Sequence, residues 1–128
     1  METERGILVT AGRSGKFLLP GGGAESGETR TKAAVRELRE ETGLKANSVK
    51  FLFRYQGSIN TKKNGTRWRD HHTVCLIRAY GHATPRHEIK LVAYYTPGCD
   101  INISRTTKAI IEKYYREFRN DCMLTENY

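Results

Sequence analysis

Residues 30 to 43, "RTKAAVRELREETG", leave this chain the least conformational choice. The run is free of proline and rich in good helix formers, and it predicts a helix from Arg30 to Thr42. Thr29 stands where an N-cap belongs, with Glu28 close to the positive helix end. Gly43 occupies the place of a left-handed C-terminal residue. At about 100° per residue, Val35 and Leu38 share one face, with Ala34 at its border, and would pack on a sheet. Glu37, Glu40 and Glu41 share another face, with Ala33 among them. Like charges three and four residues apart repel, so a bare helix of this sequence is destabilised. Something positive must offset them. Arg36 and Arg39 could do so as surface ion pairs, and a bound cation is the other solution.

The flanking segments read as strands. "GILVT" (Gly6 to Thr10) is followed by a turn at "AGRSG" and a second short strand, "KFLL" (Lys16 to Leu19). Pro20 and Gly21 to Gly23 stop it. "VKFLFRYQGSI" (Val49 to Ile59) alternates, which would put Val49, Phe51, Phe53 and Tyr55 on one side. "RWRDHHTVCLIRAY" (Arg67 to Tyr80) is a second long strand, and Asn64-Gly65 between the two signals a hairpin. "IKLVAYY" (Ile89 to Tyr95) fits either a further strand or an edge segment. Ser104 could cap a last helix whose buried face is Ile110, Ile111, Tyr114, Tyr115 and Phe118. Strands and helices in this order predict an α/β fold, with a mixed β-sheet between helices on its two faces.

The chain has 128 residues, which suits a single domain over 1–128 with a frayed tail at 121–128. Its N-terminal apolar run is too short for a signal peptide, and no long apolar run could span a membrane. A cytoplasmic protein is the expectation. Cys75, Cys99 and Cys122 are odd in number and lack paired spacing, which argues against a disulfide framework or a structural zinc site. The net charge is +8, most of it after residue 50. That balance favours anionic partners without choosing among them. "GRSGK" lacks the first glycine and the final Ser or Thr of a phosphate-binding loop, and reads as a hairpin turn.

Carboxylate oxygens are what Mg²⁺ or Mn²⁺ prefers, and three of them on one helix face could hold such an ion. The glycines just before the helix allow a sharp bend and close approach to a phosphate. Gly22, Glu28, Arg36, Glu37, Leu38, Glu40, Glu41, Gly43 and Leu44 together read Gly, five residues, Glu, seven residues, Arg-Glu-Leu-x-Glu-Glu-x-Gly-Leu. This pattern resembles the Nudix box at every fixed position. The resemblance implies an α/β/α sandwich. It also implies hydrolysis of a nucleoside diphosphate linked to another moiety, by water attack at phosphorus, with Mg²⁺ or Mn²⁺. By the same resemblance, Glu40, Glu41 and the Gly21 carbonyl would be metal ligands. Glu37 would be a ligand or the catalytic base. Glu28 and Arg36 would form an internal ion pair.

Family members often place another acid on a later loop. Glu88 is the only Asp or Glu between Asp70 and Asp100, and so is the candidate for an extra ligand or base. Trp68, Arg54, Arg67 and Arg69 flank the hairpin, where aromatic and basic groups could stack a base and hold phosphates. The short chain is similar to MutT-like members, which points to a nucleoside triphosphate or related nucleotide. A diphosphoinositol or dinucleoside polyphosphate hydrolase is one alternative, and a non-catalytic nucleotide-sensing module is another. The expected partner is a small molecule rather than nucleic acid or a membrane, for a monomer or homodimer.

Overall fold

The computed structural model describes residues 1–119. The tail expected to fray, 121–128, lies outside the described residues. The elements are β1 (Glu2–Thr3), β2 (Gly6–Ala11), α1 (Arg30–Thr42), β3 (Lys45–Thr61), β4 (Arg67–Tyr80), β5 (Leu91–Tyr95) and α2 (Arg105–Lys113). A π-helical turn, Tyr114–Phe118, continues α2.

β2 organises the core. All six of its residues are buried, as in a strand covered on both faces. Ile7 and Val9 point into one cluster, with Phe53, Tyr95, Ile110, Ile111 and Tyr114. Leu8 points the other way, to Leu38 of α1, Leu44 and Ile77. The alternation of one strand therefore separates a layer under α2 from a layer under α1. Full burial of a side chain such as Leu8 stabilises by about 2 kcal/mol.

The α/β class is as the sequence predicts, but the sheet is divided. β1, β2 and β5 form one antiparallel sheet, and β3 and β4 form another. Parallel pairing among the described residues is confined to an isolated bridge between Phe17 and Ile103. Lys16–Leu19 is not a full strand, because its residues pair in different directions. The Phe17 amide donates to Asn102 O, whereas Leu18 exchanges two 2.8 Å bonds with Thr10. β5 lies at an edge, beside β2.

The long hairpin also differs from simple alternation. The β3–β4 register shifts between Ala46 and Ser48, Phe51 and Phe53, and Gln56 and Ile59. Each shift inserts an unpaired residue into the ladder. Phe51 is therefore 48% exposed while Phe53, two residues on, is 7% exposed. The Asn64-Gly65 turn forms as predicted, with the Thr66 amide donating to Asn64 Oδ1 at 3.0 Å.

Candidate active site

α1 begins and ends where its sequence says it should. Thr29 Oγ1 accepts from the Lys32 amide, and Gly43 adopts φ 77° while its amide donates to Arg39 O. The last turn leaves carbonyls unsatisfied, and the loop after β4 meets them. The Thr84 amide donates to Thr42 O at 2.9 Å and the Arg86 amide to Glu41 O at 3.0 Å. Farther along, the Lys90 amide donates to Ala11 O. Residues 84 to 90 are thereby tied to the C-terminal end of α1 and to β2. This brings Arg86, His87 and Glu88 to the helix.

Arg36 is the hub of the N-terminal half. Its Nε and Nη2 donate to the two Glu28 oxygens at 2.9 and 3.0 Å. Nη2 also donates to Gly23 O at 3.0 Å. Nη1 donates to Glu37 Oε1 at 3.0 Å and Glu40 Oε2 at 3.1 Å. One guanidinium fork thus fastens the glycine-rich loop to the helix and partly neutralises two glutamates. Hydrogen bonding to Arg36, followed by the Glu25 amide, holds the Glu28 carboxyl below the usual range. Gly22 sits tightly against Glu37: a Cβ there would lie 2.6 Å from Glu37 Oε1.

Glu41 is in a different setting. Its Oε2 accepts the Gly21 amide at 3.2 Å. Burial raises its pKa to about 7, the Gly21 bond opposes the shift, and the charges of Glu37, Glu88 and Glu40 add to it. Glu88 therefore belongs to the electrostatic surroundings of Glu41, although it comes from a distant loop. Gly21 meets Glu41 through its amide rather than its carbonyl.

The donors fit a hard divalent cation in kind, being carboxylate oxygens. Among the described residues, no three His, Cys, Asp or Glu side chains are grouped closely enough to hold an ion. Arg36 occupies one oxygen each of Glu37 and Glu40.

The hairpin residues lie on the β3–β4 ladder. Trp68 is exposed opposite Asn60, Arg67 pairs with Thr61, and Arg54 pairs with Thr73. Arg69 Nη1 donates to Gln56 Oε1 at 2.9 Å. A cavity of about 590 Å³ opens along α1, between Lys32, Val35, Arg36, Arg39 and Glu40 and the residues Val49, Arg86 and His87. Lys32, Arg86 and His87 were not singled out by the sequence, which offered Arg39 only as an ion-pair partner for the glutamates, whereas those pairs go to Arg36. The i, i+7 spacing of Lys32 and Arg39 was the available signal. Arg86 is placed by hydrogen bonds that periodicity does not register.

The NUDIX domain family model matches residues 1–98. The chain belongs to the Nudix family. It shares 36% identity with a protein described as a nudix hydrolase family member from Chromobacterium violaceum, over 90% of this chain and 71% of that one, with a TM-score of 0.71. The same fold recurs in the ORF135 protein of E. coli at 23% identity, 92% and 84% coverage and a TM-score of 0.62. It recurs again in the Nudix hydrolase RenU of M. smegmatis at 21% identity, 85% and 72% coverage and a TM-score of 0.60. Nudix proteins are hydrolases of small-molecule pyrophosphates, and this chain is one of that enzyme family. No helix among the described residues is long and apolar enough to cross a membrane.

Proposed function

We propose that this Nudix protein is a divalent-metal-dependent pyrophosphohydrolase that cleaves a nucleoside diphosphate linked to another moiety, within that class a nucleoside triphosphate or related nucleotide. The observation that carries the reading is the contact of Glu41 Oε2 with the Gly21 amide of the glycine-rich loop, on a helix that also bears Glu37 and Glu40, with Glu88 adding its charge from another loop. Glu40, Glu41, Glu37 and the Gly21 carbonyl are the groups that would hold Mg²⁺ or Mn²⁺. Such an ion would neutralise phosphate charge and lower the pKa of water.

The protein's own residues then have separable tasks. Arg36 keeps the loop on the helix and orients Glu37 and Glu40. Gly22 lets the backbone approach Glu37. Glu37 or Glu88 accepts the proton of the attacking water, and Glu41 must be ionised to act as a ligand. Trp68, Arg54, Arg67 and Arg69 are the candidate contacts for a base and its phosphates.

The packing of Ile110, Ile111 and Tyr114 against Ile7 and Val9 supports reading the chain as a single Nudix domain, since α2 lies beyond the matched residues. The partner in this reading is a cytoplasmic small molecule. A non-catalytic sensing module is the competing reading, and the intact glutamate set stands against it. The test is a panel of nucleoside triphosphates, oxidised nucleotides, ADP-ribose, dinucleoside polyphosphates and inositol pyrophosphates, each with Mg²⁺ and with Mn²⁺. Turnover that depends on the metal and disappears in Glu41→Gln supports hydrolysis. Binding without turnover across the panel would favour the sensing module.

A further inference from the structure

The cavity beside α1 carries positive charge that the nearby acids do not use. Lys32 and Arg39 lie on one helix face with Val35 and Arg36, at spacings of three, four and seven residues. Four glutamates stand close by, yet the ion pairs within 4.0 Å that they make with α1 all go to Arg36. Lys32 acts on Glu28 only through longer-range attraction. Lys32 and Arg39 are exposed and line the cavity.

A third cation arrives from another element. The backbone of Arg86 is pinned by its amide bond to Glu41 O. Its guanidinium lies so close over Gly43 that a Cβ there would meet Cζ at 2.7 Å. His87 follows with φ 55°, the positive-φ non-glycine residue of the described chain. A non-glycine residue in this region costs about 1 kcal/mol, so the loop is held in place by its surroundings. Val35 and Val49 supply apolar lining. Arg36 and Glu40 belong both to the cavity and to the acidic site, so the two are contiguous.

We propose that the cavity is an anion subsite in which Lys32, Arg39 and Arg86 hold a phosphate group of the substrate beyond the bond that is cleaved. The identity of the ligand rests on the hydrolase reading; the binding of anions does not. The subsite selects substrates that carry a further phosphate beyond the scissile anhydride, such as the terminal phosphate of a nucleoside triphosphate, over those whose outer moiety is neutral, such as a nucleotide sugar. Planar guanidinium groups hold phosphate by two parallel bonds, which suits Arg39 and Arg86 to this task.

The test uses inorganic tripolyphosphate as the probe, titrated calorimetrically into the whole protein with EDTA present. Saturable binding is expected, weakened about tenfold by Arg39→Gln and similarly by Arg86→Gln. Lys108→Gln removes one exposed charge on α2 and controls for net charge. An equal loss in Lys108→Gln, or no saturable binding to the unaltered protein, overturns the subsite. Arg39 is on an exposed helix face, so its variant remains informative if Arg86→Gln disturbs the loop. In turnover assays, Arg39→Gln should raise KM for a nucleoside triphosphate about tenfold with a smaller change in kcat. An equal rise in KM for a nucleotide sugar also overturns it. The two readings separate cleanly: absence of metal-dependent turnover in the unaltered protein, with tripolyphosphate binding intact, removes the hydrolase assignment and leaves the anion site standing, whereas unchanged turnover in Glu41→Gln removes only the metal-site assignment.

Discussion

The two ends of α1 place glutamates in opposite circumstances. Just before the N-cap, Glu28 meets a guanidinium through two short bonds and is held below the usual carboxylate range. At the C-terminal half, burial and then the neighbouring charges of Glu37, Glu88 and Glu40 push Glu41 up to about 7, against the opposing bond from Gly21. The first region is electrostatically complete and can serve as scaffold. The second gains from an added positive charge, which is the property expected of a site that recruits a cation.

The sharpest way to break this contrast is Glu41→Gln. On the proposed metal role, loss of this carboxylate should cut turnover by at least about a hundredfold. The same change should leave the metal-free protein at least as stable at pH 8, because a repelled charge is removed. A large fall in Tm there would make Glu41 structural and erase the distinction. Arg36→Gln should act through the scaffold instead. It should lower Tm, raise amide exchange in residues 23 to 28, and reduce activity by about 10–100-fold, as loss of a supporting contact does. Unchanged exchange in that loop would mean that Arg36 does not fasten it.

Gly22→Ala sharpens the comparison at the boundary between the regions. The new methyl group meets the mobile end of Glu37, so Tm should hardly change while activity falls about tenfold through a displaced carboxylate. Equal losses of stability and activity would show backbone disruption instead. pH supplies a further test. A carboxyl whose folded pKa is raised contributes stability that is fully present below about 4.5 and is lost as pH rises through about 7. Metal-free Tm should therefore carry a decline across that window that Glu41→Gln removes and that saturating Mg²⁺ offsets. Glu28 has the opposite sign: its contribution is lost as pH falls below its depressed pKa. The smallest effect belongs to Glu88→Gln, which should lower the pH at which Glu41 titrates, as followed by carboxyl NMR. No movement would exclude Glu88 from the site.

Much of this was legible in the sequence where local chemistry decides the outcome. Thr29 and Gly43 mark the ends of α1 because capping is a short-range property. Arg67 to Tyr80 was bounded by turn residues and forms β4 over that span. Lys16 to Leu19 was not legible, since Phe17 and Leu18 take different distant partners. The inward turn of Phe53 depends on a register shift that a strict period of two conceals. Within the site, the box glutamates could be located by helical angle. Arg86 could not be, because its position is set by the unsatisfied carbonyls at the end of another element.

The irregular ladder of β3 has a consequence for how this fold can vary. A strand with uninterrupted pairing has a single parity, and a one-residue change in length exchanges its inner and outer surfaces. β3 changes parity along its course, turning Phe51 outward and Phe53 inward. Natural or engineered length variants should thus accumulate at its existing irregularities, where an added residue can be absorbed. Between them, even a single deletion would swap core for surface, although substitutions on the exposed side would pass with little penalty.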